Sequence, residues 1–123
     1  MSGVTVLVVD DSAVTLRAMS LLLGRAGYAV ITAMTAADGL HQARTGNPRV
    51  ILLDVELPDG DGYTVCRELK ADPATAGIPV ILCTARGEAL DEADRAGVEA
   101  DAYLPKPFSP SGLRDLVARF AAG

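Results

Sequence analysis

Acidic residues recur in this chain at the ends of apolar runs, where a buried strand can deliver a charged side chain to the edge of a sheet. Asp10 and Asp11 follow Val4-Thr5-Val6-Leu7-Val8-Val9, and Asp54 closes Val50-Ile51-Leu52-Leu53. Three carboxylates gathered in one pocket repel one another, and two unit charges ~4 Å apart cost about 4 kcal/mol at an effective dielectric of ~20. Such a pocket calls for a cation. Hard oxygen ligands from only two or three carboxylates, with room left for water and a phosphate oxygen, suit Mg²⁺ better than an all-protein Ca²⁺ cage. Two more groups hold equivalent positions: Thr84, after Pro79-Val80-Ile81-Leu82-Cys83, and Lys106, after Ala102-Tyr103-Leu104-Pro105. Thr84 supplies a hydroxyl donor and Lys106 a compact ammonium. These residue types together read as a cradle for a phosphoryl group, with Asp54 as the attacking oxygen and the metal and Lys106 neutralising the equatorial oxygens.

Positioning these groups requires strands that end at one edge. The apolar runs are short, β-branched and bounded by Gly, Pro, Asn and Asp, the pattern of strands buried on both faces in a helix-covered parallel sheet. Tyr28–Ala33 adds a fifth strand to those ending at Val9, Asp54, Cys83 and Leu104. Helices are expected over Ser12–Ala26, Thr35 or Ala36 to Arg44, Tyr63–Ala71 with Asp61 as its cap, Leu90–Ala96, and Ser109–Ala122. In the first of these, Leu16, Met19, Leu23 and Ala26 share the core face, with Leu22 at its edge. Val14, Ala18 and Leu21 form a flanking strip at spacing i, i+4, i+7, which fits either a broad core face or a strip for a partner. Five strands alternating with five helices predict an α/β fold, a flavodoxin-like doubly wound sheet of order 2-1-3-4-5. Right-handed crossovers then set the strands ending in Asp10-Asp11 and Asp54 side by side at the switch point, with Thr84 and Lys106 at the same edge.

The 123 residues are expected to make one domain, 1–123. Eleven Lys and Arg against sixteen Asp and Glu give a net charge of −5, and there is no basic stripe, so direct nucleic-acid binding is not expected. No signal-peptide pattern precedes Val4 and no membrane span is evident, so the cytoplasm is the expected compartment. Cys66 and Cys83 lack metal-ligand spacing and read as small buried hydrophobes, reduced in that compartment. His41 stands without a second ligand at metal spacing and reads as a surface residue.

At this point the chain resembles response-regulator receiver domains over essentially its whole length. The resemblance is carried by the ordered set Asp10-Asp11, Asp54, Pro58, Asp61-Gly62, Thr84-Ala85, Tyr103 and Lys106-Pro107-Phe108. It implies a phosphorylation-activated switch rather than an enzyme, with Asp54 taking a phosphoryl group from a histidine kinase or histidine phosphotransfer protein and a downstream protein as target. It implies that Asp11, Asp54 and the backbone carbonyl of Glu56 ligate Mg²⁺, with Asp10 acting through water. Thr84 and Lys106 would hold phosphate oxygens, the N–H of Ala85 would contribute, and Tyr103 would be the switch aromatic that moves inward with Thr84. It also implies a cis Lys106–Pro107 bond and a kinase-docking side made by Pro107, Phe108 and the first helix.

Gly60 stands where a methionine is common in the family, and Glu56 and Arg86 occupy two positions the family varies to tune phosphate lifetime. Those two either pair over the phosphate or form a solvated surface pair. The last helix ends the sequence, the pattern of a stand-alone or excised receiver. Three alternatives compete. A pseudo-receiver that only binds partners usually lacks an acid or the lysine, and this chain has them all. A small Mg²⁺-dependent phosphatase of the haloacid-dehalogenase type needs a second aspartate two residues after the nucleophile, where Glu56 stands. A flavoprotein would carry a Ser/Thr/Gly-rich phosphate loop after the first strand.

Overall fold

β1 (Thr5–Val9), β2 (Ala29–Ala33), β3 (Val50–Asp54), β6 (Val80–Thr84) and β7 (Ala102–Pro105) form a five-stranded parallel sheet in the order β2-β1-β3-β6-β7. This is the predicted 2-1-3-4-5 order. The labels shift because a two-stranded antiparallel hairpin, β4 (Glu56–Leu57) and β5 (Gly60–Asp61), follows β3 where the sequence predicts only a loop. Strands of two residues are too short to show any periodicity. The computed structural model describes residues 3–84 and 100–121. The predicted helix at Leu90–Ala96, together with Ala85 and Arg86, lies outside the described residues.

The strands build two cores because successive side chains point to opposite faces. Leu7, Val9, Ile51, Leu53 and Leu82 pack with residues of α2 (Ala36–Thr45) and α3 (Gly62–Ala71), among them Ala43, Val65, Cys66 and Leu69. Val6, Val8, Val50, Leu52, Ile81 and Cys83 pack on the other face with Leu16, Met19 and Leu23 of α1 (Ala13–Arg25) and Leu113 and Val117 of α4 (Pro110–Ala121). Each fully buried Leu, Ile or Val side chain stabilises the fold by about 1.5–3 kcal/mol, so β1, β3 and β6 are anchored from both sides.

Of the predicted core stripe of α1, Leu16, Met19 and Leu23 are buried. Ala26 is exposed, because it is the C-cap and the chain has already turned away. Gly27, at φ +100°, completes a Schellman ending: its N–H donates to Gly24 O at 3.0 Å and Tyr28 N–H donates to Leu23 O at 3.1 Å. Val14 (80% exposed), Ala18 and Leu21 (54%) lie outside the core, which removes the broad-core reading of that strip.

Asp61 caps α3 as expected, accepting Thr64 N–H at 2.8 Å. The next residue, Gly62, is set against the end of β3. Its N–H donates to Val55 O at 2.7 Å, and a Cβ there would press on Asp54 O, on Val55 Cα at 2.9 Å and on Asp54 C at 3.0 Å. Those atoms are backbone, with little room to give. Gly62→Ala is therefore expected to lower stability by about 1–3 kcal/mol. Gly24→Ala, in a helix with open space around the new methyl, should raise it by about 0.5–1 kcal/mol. Urea unfolding of the two variants in chelator checks this, and a neutral Gly62→Ala would show that α3 does not press on Asp54.

Candidate functional site

Strand register builds the site. Val9 pairs with Leu53 across β1 and β3, so Asp10 and Asp54 come next in neighbouring strands, side by side at the ~4.8 Å spacing of a sheet. Asp54 lies opposite Cys83, and Thr84 opposite Pro105, so Thr84 and Lys106 each emerge one step further along the same edge. Hydrogen bonds at the strand ends hold these positions: Asp10 N–H to Ala33 O at 3.0 Å, Val55 N–H to Cys83 O at 3.1 Å, and Lys106 N–H to Thr84 O at 2.7 Å.

Carboxylate oxygens of Asp10, Asp11 and Asp54 lie within 4.8 Å of one another. Asp10 (3% exposed), Asp54 (8%) and Thr84 (3%) are buried, whereas Asp11 faces solvent. Lys106 Nζ donates to Asp10 Oδ2 at 2.9 Å and stands 3.4 Å from Asp54 Oδ1. The other Asp10 oxygen accepts Ser12 N–H at 2.9 Å, and Ser12 in turn caps α1 by accepting Thr15 N–H. The Lys106–Pro107 bond is cis, as the resemblance implies.

Burial pushes the Asp54 carboxyl above its ordinary range. The Lys106 charge pulls it back, the Asp10 charge pushes it up again, and the net direction is upward. Burial works against the Lys106 charge too, but the hydrogen bond to Asp10 and the charges of Asp54 and Asp10 together outweigh it and raise the Lys106 pKa. One ammonium thus serves two buried carboxylates while a third stands beside them. The remaining negative charge, presented by hard oxygens, fits a small divalent cation such as Mg²⁺.

The structure therefore brings Asp10, Asp11, Asp54 and Lys106 together and sets Thr84 at the same edge. Tyr103 lies opposite Leu82 on β7, half-buried against the core that contains Leu82 and Val80. Glu56 is exposed and pairs with Asp61 in the hairpin. Its suggested partner Arg86, and Ala85, fall outside the described residues. His41 is exposed, while Cys66 and Cys83 are free and buried, their thiols pushed up by burial to about 11 and about 12. Beside Lys106, the exposed Val14 and Ala18 join Leu22, Pro107 and Phe108 along an apolar groove of about 540 Å³ between α1 and the start of α4. Sequence reasoning gave no role in the site to two residues that shape it, Gly62, quoted only as part of the Asp61-Gly62 motif, and Asp59. Gly62 has a visible sign, the Asp-Gly that opens a helix. Asp59, whose carboxylate caps α2, has none, because its partners lie more than twenty residues away.

Residues 6–118 match the family model of the response regulator receiver domain. The chain is 39% identical to the phosphate regulon transcriptional regulatory protein PhoB of Pseudomonas aeruginosa, an alignment covering 99% of this chain and 52% of that protein. The chain spans about half the length of the transcriptional regulators it matches. Among solved structures it is similar to a response regulator of Chloroflexus aurantiacus, at 35% identity and TM-score 0.86, covering 97% and 98% of the two chains. It is also similar to the receiver domain of sensor histidine kinase PA1611 from Pseudomonas aeruginosa, solved with a coordinated magnesium ion, at 27% identity and TM-score 0.89 over 98% and 99%.

Because the folded-state pKa of Asp54 is raised, the fold favours its protonated form. The stability linked to that proton is present in full below the unfolded carboxylate pKa and is lost as pH rises through the folded value. Without divalent metal, Asp54→Asn should melt a few degrees above wild type at neutral pH, with the gap closing as pH falls to about 4. Melting curves across that range check the sign, and a gap that widens on acidification would contradict it.

Proposed function

This chain belongs to the response regulator receiver domain family, the phosphorylation-activated switches of two-component systems, and we propose that its phosphoacceptor is Asp54. One observation carries the assignment: the oxygens of Asp10, Asp11 and Asp54 within 4.8 Å of one another, with the Lys106 ammonium shared between Asp10 and Asp54. Receiver domains exchange phosphoryl groups with histidine kinases or phosphotransfer proteins. Here an Asp54 oxygen attacks the phosphorus of a phosphohistidine. The new P–O bond forms as the P–N bond breaks, and the departing imidazole nitrogen takes a proton from solvent.

Lys106 sits where it can follow the negative charge from the Asp54 carboxylate to the transferred oxygens. Thr84, buried at the adjacent strand end, offers its hydroxyl to one of them, and the Ala85 N–H is assigned to another. Receiver domains bind Mg²⁺ in this pocket. We assign its ligands to Asp11, Asp54 and the Glu56 carbonyl, where the ion supplies charge neutralisation to the phosphoryl oxygens. Asp10 already has protein donors on both oxygens, which supports a role through water rather than a direct bond. The same residues, with water as nucleophile, would return the group to phosphate, so the domain promotes its own phosphorylation and dephosphorylation.

The apolar groove beside Lys106 fits a docking helix of the phosphodonor, carrying its histidine toward Asp54. Phosphorylation adds roughly −1.5 to −2 charges and three acceptors at Asp54, drawing in the Thr84 hydroxyl. Tyr103, one strand over, would then move inward and change the surface read by a downstream protein. Residues 1–123 are assigned as a single receiver domain. Among the described residues no helix is long and apolar enough to cross a membrane, and we place the domain in the cytoplasm with its phosphodonor.

With Mg²⁺ and acetyl phosphate, intact mass should rise by one phosphoryl group that hydroxylamine removes, and Asp54→Asn should stay unmodified. Equal labelling of Asp54→Asn would overturn the assignment, and an unlabelled wild type would leave the chain a partner-binding pseudo-receiver.

A further inference from the structure

Asp59 stands at the tip of the β4–β5 hairpin, and its carboxylate reaches across to the first turn of α2. Ala36 N–H donates to Oδ1 at 2.6 Å and Ala37 N–H to Oδ2 at 3.0 Å. The helix already has a local cap, since Thr35 Oγ1 accepts Asp38 N–H at 3.0 Å and Thr35 O accepts Gly39 N–H at 2.9 Å. Asp59 takes the two N–H groups that this cap leaves open, and its charge suits the positive end of the helix.

These bonds close a belt around the acidic pocket. On one side Ala33 O, just ahead of the helix, accepts Asp10 N–H at 3.0 Å, which fastens the start of α2 to the turn carrying Asp10 and Asp11. On the other, Gly62 N–H donates to Val55 O at 2.7 Å and Glu56 pairs with Asp61, which fastens the hairpin to the end of β3. Asp59 joins the two halves. The carboxylates at the pocket repel one another, so a link that resists their separation acts on the pocket itself.

We propose that Asp59 is a positioning residue for the acidic pocket: by tying the hairpin to α2 it holds the Glu56 backbone in place beside Asp10 and Asp11. The inference rests on the reading of Asp11, Asp54 and the Glu56 carbonyl as the Mg²⁺ ligands. Outer partners of metal ligands contribute strongly to metal affinity even though they never touch the ion.

The test is Mg²⁺ affinity, read from amide resonances of the whole chain under conditions where every variant is folded. Asp59→Ala is expected to weaken Mg²⁺ about fivefold, and Asp59→Asn, which keeps one acceptor, to weaken it less. Asp72→Ala is the control, because Asp72 accepts Arg44 Nε at 3.2 Å and Ala74 N–H at 3.0 Å, tying α2 to α3 at their far ends. It should lower the melting temperature and leave the Mg²⁺ Kd within about twofold of wild type. Equal Kd values for wild type and both Asp59 variants would overturn the proposal, as would an equal loss in Asp72→Ala. If Asp59→Ala does not fold, Asp59→Asn decides alone, and wild-type affinity there overturns the proposal. A wild type that binds no Mg²⁺ fails differently: it removes the metal site and the inference with it.

Discussion

Two buried carboxylates share a single ammonium, and a third, exposed one stands with its oxygen within 4.8 Å of theirs. Repulsion favours their separation or protonation, and at Asp54 burial first, then the Asp10 charge, push the pKa upward against the pull of Lys106. The proposed phosphotransfer needs the opposite, an ionised Asp54 that can attack phosphorus. A cation held by these carboxylates would reconcile the two, because it would favour the ionised carboxylate and offset charge on an incoming phosphoryl group. On the proposed reading the pocket is incomplete without an ion and receptive to a phosphate.

Holding like charges together requires a scaffold that does not yield. The sheet supplies it through β1, β3 and β6, whose side chains are buried on both faces, so none of the three strand ends can drift without disturbing two cores. Where the strands stop, backbone hydrogen bonds continue the restraint: Asp10 is tied to Ala33, Val55 to Cys83 and Lys106 to Thr84. Lys106 is therefore aimed by its own main chain as well as by its charge. Tyr103, proposed above as the side chain that responds, is only half-buried on the outer strand.

The parts of this design that were legible in the sequence are those in which one residue's chemistry and its place in a periodic element agree. β1, β3 and β6 could be read because burial on both faces leaves an unbroken apolar run, and Asp10, Asp54 and Thr84 could be placed because they end such runs. Lys106 could be placed because Ala102-Tyr103-Leu104 ends just before it. Amphipathic spacing identified Leu16, Met19 and Leu23 but misassigned Ala26, since a helical wheel does not show where the chain turns away at a cap. Spacing alone could not say whether Val14, Ala18 and Leu21 face the core, because a wide core stripe and an exposed strip have the same period. The hairpin at 56–61 and the reach of Asp59 to Ala36 and Ala37 stayed invisible, one for want of length and the other because tertiary capping leaves no local pattern.

The central claim, that repulsion in the acidic pocket is relieved by a divalent cation, is tested most directly by melting wild type and Asp11→Ala in chelator and in saturating Mg²⁺. An ion that binds the folded state alone raises its melting temperature by mass action. The account predicts a clear rise for wild type and most of that rise lost in Asp11→Ala. Equal responses of the two proteins to Mg²⁺ would contradict it.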